Sequence, residues 1–66
     1  MADNIKLTLT NDEAEILIDA LEADLEGYLA SAKDARASGN RADVATFTDA
    51  ASRIQAVMTK IQGLLD

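Results

Sequence analysis

Ser38-Gly39-Asn40-Arg41 interrupts an otherwise continuous helical pattern and divides it into two arms of similar length. Gly39 suits the left-handed backbone position that closes a helix, and Asn40 is a good cap for the next one. A link of so few residues forces the two arms to be antiparallel neighbours. The turn therefore predicts a helical hairpin, with its arms at residues 11–37 and 41–65 around a turn at 38–40.

Working back from the turn, the first arm opens at Thr10-Asn11-Asp12-Glu13. This is a capping-box pattern, with Thr10 as the cap and Glu13 three residues on; Asn11 is an alternative cap. Asp12, Glu13 and Glu15 then fall where the helix dipole favours negative charge. The apolar seam of this arm is Ala14, Ile18, Leu21, Leu25, Tyr28, Ala32 and Ala35, widened by Leu17 and Leu29. On the second arm the seam is Val44, Phe47, Ala51, Ile54, Met58, Ile61 and Leu65, widened by Ala50, Val57 and Leu64. Seams this broad belong to bundle helices rather than to a narrow two-stranded coil. Tyr28, the only tyrosine, reads as a core ring.

Two helices cover only part of such faces, and Leu17, Leu29, Ala50, Val57 and Leu64 would stay wet in a single hairpin. The expected architecture is all-α: an antiparallel two-helix hairpin that self-associates, preferably as a dimer, into a four-helix bundle. The expected interface is Leu17, Leu21, Leu25, Tyr28, Leu29, Phe47, Ile54, Val57, Met58, Ile61 and Leu64.

Ahead of the hairpin, Ile5, Leu7 and Leu9 alternate with Lys6, Thr8 and Thr10, which predicts a short β-strand over 5–10. No second stretch resembles a strand, so this one either pairs with its own copy or lies extended across the helices. Strand followed by two helices resembles the ribbon–helix–helix repressors, whose paired strands read DNA. That likeness would give Lys6, Thr8 and Thr10 the reading role. It covers only the first dozen residues, and the first arm is about twice too long for that family.

Composition narrows the function. The 66 residues hold one domain at most, with neither Cys nor His, so disulfides and thiolate or imidazole metal sites are excluded. Chains this small usually need a staple or an assembly, and the staples are missing. Twelve acids against six bases give a net charge of -6, which argues against nucleic acid and anionic membranes as partners. No run approaches the roughly 20 apolar residues of a membrane span. Met1-Ala2-Asp3-Asn4 lacks a signal-peptide pattern, so a cytoplasmic protein is expected.

Two further stripes stand out on the first arm. Asp12, Glu15, Asp19, Glu22 and Glu26 follow at spacings of three or four, and the same line runs on through Leu29 to Lys33 and Arg36. Like charges so spaced cost roughly 0.2–0.5 kcal/mol per pair, so an offsetting partner is expected. Folding about Gly39 sets Arg53 level with Glu26 and Lys60 level with Asp19. Alternatively, a second copy brings Lys33 and Arg36 to the acidic end, or the five carboxylates dock a basic surface of another protein or imitate DNA phosphates. The plain alternative is a solvated face. On the back lie Ile16, Ala20, Ala23, Gly27 and Ala30, a row small enough for another helix to approach, or simply an alanine-rich outer surface.

No metal, cofactor or catalytic role is assigned to any residue. Di-iron bundles need inward glutamates with a Glu-x-x-His pair, calcium loops need alternating Asp/Asn with a Gly, and acid–base work needs a pocket. Enzyme activity is not expected.

As a whole, Leu7-Thr8-Leu9-Thr10 leading into Asp12-Glu13-Ala14-Glu15, followed by a long alanine-rich hairpin, resembles the short acidic accessory proteins of bacteriophages with high-GC hosts. The resemblance implies a small, non-catalytic interaction module that works by binding another protein.

Overall fold

A computed structural model of the chain describes residues 3–65; Met1, Ala2 and Asp66 lie outside the described residues. Two helices pack side by side, α1 over Asn11–Ala37 and α2 over Arg41–Gln62. All the tertiary packing between elements is theirs.

The start of α1 is the expected capping box. The Thr10 backbone N–H donates to Glu13 Oε1 at 2.9 Å, and the Glu13 N–H donates to Thr10 Oγ1 at 3.1 Å. Two of the donors that a helix start leaves unpaired are satisfied in this way. The Thr10 backbone N–H, and after it the Thr10 hydroxyl, favour the charged carboxylate, so Glu13 is held below the usual carboxylate range.

The turn does two jobs with two residues. Gly39 takes φ +74°, a left-handed conformation that glycine adopts without a Cβ clash. The Gly39 N–H then reaches Arg36 O at 3.1 Å and the Asn40 N–H reaches Ala35 O at 2.9 Å, the paired bonds of a Schellman closure. Asn40 at once starts α2, its Oδ1 accepting from the Asp43 N–H at 3.1 Å while Nδ2 donates to Asp43 Oδ2 at 2.8 Å.

Between the helices the seam runs as the periodicity predicts. Ala14, Ala32, Ala35, Ala51, Met58 and Ile61 are buried, and Ile18, Leu21, Leu25, Tyr28, Val44, Phe47 and Ile54 are half-buried. The Tyr28 and Phe47 rings meet across it at 6.3 Å between centroids, tilted by 40°, within the range of favourable aromatic pairs. Four of the six buried residues are alanines. They let the helices come close, but each removes little apolar area from water.

Two boundaries differ from expectation. α2 ends at Gln62 rather than Leu65: the Leu64 N–H turns back to Ile61 O at 2.9 Å and the Leu65 N–H to Gln62 O at 3.2 Å, tightening the end into three-residue turns. Gly63, a poor helix former, sits where the change begins. Residues 3–10 form neither helix nor ladder within this chain. A strand needs an edge to bond to, and two helices offer none. The lead-in lies beside the C-terminal half of α2, where Ile5 and Leu7 share a groove with Val57, Lys60, Ile61 and Leu64.

The turn geometry predicts that Gly39→Ala destabilises the hairpin by about 1–2 kcal/mol, the cost of placing a Cβ in a left-handed conformation. Chemical denaturation against the parent chain checks this. The Glu13 shift predicts a contribution to stability that is complete above the ordinary carboxylate range and lost as pH falls through the lowered value. An NMR titration should find Glu13 titrating below the ordinary glutamate range. Thr10→Ala should move it only part of the way back, because the backbone bond remains.

Candidate interaction surface

The Cα atoms span 43 × 29 × 13 Å, so the chain is one layer of helices thick. Such a layer has two broad faces, and successive residues turning by about 100° decide which side chains each face carries. Leu29 falls on one, beside Leu25 and opposite the polar row Thr48, Ser52 and Gln55 of α2; together they line a shallow groove of about 270 Å³ floored by Ala51. By the same turn Leu17, Ala50, Val57 and Leu64 fall on the other, where Ile5 and Leu7 line a groove with Val57 and Leu64. The residues expected to form a single oligomer interface are therefore divided three ways. Met58 and Ile61 are buried within the chain, with Leu21, Leu25, Tyr28, Phe47 and Ile54 half-buried in the seam. Leu29 is exposed on one face, and Leu17, Val57 and Leu64 are exposed on the other.

The apolar exposure is concentrated. Ile5 is 89% exposed, Leu7 61%, Leu64 52%, Val57 44% and Leu17 37%. All five belong to one face, and all lie toward the open end of the hairpin, away from Gly39. At the turn end of that same face the lining is polar, with Ser31, Asp34, Ser38, Asn40 and Asp43 around Ala35 and Phe47.

Charge is divided in the same way. Asp12, Glu15, Asp19, Glu22 and Glu26 are all exposed and run along the Leu29 side of α1. At its turn end that side becomes basic through Lys33 and Arg36, with Arg41 joining Arg36 beside Gly39. Of the offsetting arrangements weighed, neutralisation within the chain is not there: Arg53 Nε pairs with Asp49 Oδ2 on its own helix at 3.1 Å, and no ion pair links the helices among the described residues. The reason is azimuth. Arg53 is level with Glu26, but the two lie roughly 120° from the seam in opposite senses, on opposite faces. Lys60 and Asp19 are separated in the same way, and Lys60 instead borders the Val57–Leu64 groove. Level was legible from the fold-back about Gly39; the face required the handedness of both helices.

Of the strand side chains suggested for reading DNA, Lys6 and Thr8 are exposed, but Thr10 Oγ1 is committed to the Glu13 N–H. Along the back of α1, Ile16, Ala20, Ala23, Gly27 and Ala30 are exposed, and a Cβ built on Gly27 meets nothing within 4 Å. None of the described residues uses the small-residue row for close approach. Among the described residues no three acidic side chains converge as a metal site, and no helix is long and apolar enough to cross a membrane.

No family model, curated protein or solved structure matches this chain.

The open space at Gly27 predicts that Gly27→Ala stabilises the protein by about 1 kcal/mol, the helix-propensity difference. A thermal or urea melt of the variant checks this. Destabilisation would mean that another chain packs against the row.

Proposed function

We propose that the protein is a non-catalytic interaction module, an accessory factor that acts as a self-associated helical bundle and presents an acidic face to a protein partner. One observation carries this reading. Large apolar side chains at the flank of each helix remain in water, while among the described residues no large side chain is fully enclosed. A layer of helices with one open apolar side is half of a two-layer domain. A second hairpin supplies the missing layer and makes a four-helix bundle, the N-terminal segment pairing or tucking at its end.

The row Asp12, Glu15, Asp19, Glu22 and Glu26 is solvent-facing and unneutralised within the chain, and a basic protein surface is its complement. The likeness to phage accessory proteins agrees with this role, as does a cytoplasmic setting. Acidic balance and the commitment of Thr10 to its cap weigh against the strand-reading regulator.

Static light scattering behind a sizing column tests the reading. The expected mass is twice the 7.0 kDa of the chain, falling to one chain mass in a Val57→Asp, Leu64→Asp double variant. A parent chain that elutes as a folded monomer would overturn it.

A further inference from the structure

We infer that a second copy of this chain covers the face bearing Ile5, Leu7, Leu17, Val57 and Leu64, about a two-fold axis parallel to the helices, with both open ends at the same end of the bundle. The inference rests on the self-association proposed above and specifies its face and its symmetry.

Surface area is the first support. The chain exposes 5293 Å², whereas a compact monomer of 7.0 kDa is expected to expose about 4,000 Å². The excess, about 1,300 Å², exceeds the roughly 800 Å² that each partner contributes to a standard stable interface.

The face follows from where that excess is apolar. Of the seven large hydrophobic side chains left exposed among the described residues, five are on this face, against Leu29 alone beside the acidic row and Ile16 alone on the back. Covering the Leu29 face instead would leave the apolar five in water.

Symmetry follows from the lengthwise position of the patch. All five side chains sit at the open end, while the turn end of this face is lined by Ser31, Asp34, Ser38, Asn40 and Asp43. A two-fold axis perpendicular to the helices would lay the apolar end of each copy on the polar turn end of the other. An axis parallel to the helices lays patch on patch, stacks α1 of one copy antiparallel on α2 of the other, and sets Leu17 between the levels of Val57 and Leu64 of the second copy. It also brings Arg53 within about two residues' rise of Asp24 of the second copy, a complementary charge that the single chain does not use. The acidic row faces outward in this arrangement and stays free for a different partner.

The absence of cysteine makes a clean test available. Single cysteines at the turn (Ser38→Cys) and at the open end (Gln62→Cys) are spin-labelled, and distances between copies are read by pulsed electron resonance. The parallel axis predicts short distances, about 30 Å or less, within dimers labelled alike. In dimers mixed from the two labelled chains the distance lengthens toward the roughly 36 Å rise separating these positions along α2. Short distances in the mixed dimers and long ones in the like dimers would overturn the arrangement while leaving self-association standing. No distance between copies in any sample would overturn self-association itself. On the Ser38→Cys background, Val57→Asp should abolish the signal and lose helicity by circular dichroism with it, while Leu29→Asp should retain both; the reverse result would place the interface on the other face.

Discussion

Two helices joined by a short turn can close only one line of contact, and everything else in this protein follows from how that line is filled. Ala14, Ala32, Ala35 and Ala51 occupy it together with Met58 and Ile61. Small side chains in the seam bring the backbones close and leave the bulky ones at its margins. Burial of a methyl or methylene is worth about 0.8 kcal/mol, so an alanine-rich seam defines geometry more than it supplies stability. The leucines and valine that could supply it stand just outside, half-buried or wet.

This division of labour accounts for what was legible in the sequence. Local rules act within four residues, and they held: Thr10 and Glu13 close a capping box, Gly39 takes the left-handed position, and Asn40 caps α2. The seam was legible because burial follows the 3.6-residue period directly. The end of α2 was read too far because Leu64 and Leu65 continue the apolar spacing, while Gly63 and the unpaired carbonyls of the last turn favour tighter closure. The lead-in shows how far alternation reaches. Ile5, Leu7 and Leu9 satisfy the period of a strand, but period names a face and supplies no hydrogen-bonding edge.

The candidate surface was legible in content but not in arrangement. Leu17, Leu29, Val57 and Leu64 are flanking residues left in water, as read, whereas Ala50, read with them, is half-buried. Spacing along a helix does not say which flank of one arm adjoins which flank of the other, so Leu29 was grouped with residues that lie on the opposite face. The same omission paired Glu26 with Arg53 across the hairpin, where the structure pairs Arg53 with Asp49. Once faces are resolved, the apolar flank and the acidic row with its basic tip lie on opposite faces of the layer.

The central claim is that one hairpin is an incomplete layer whose stability comes from a second copy. Its most direct test is the concentration dependence of thermal unfolding, followed by circular dichroism over a hundredfold range of chain concentration. When folding and association are coupled, mass action raises the midpoint as chain concentration rises. The account predicts that rise, together with loss of helix at the most dilute end. A midpoint that stays high and unchanged across the range would contradict it, because the single layer would then be sufficient on its own.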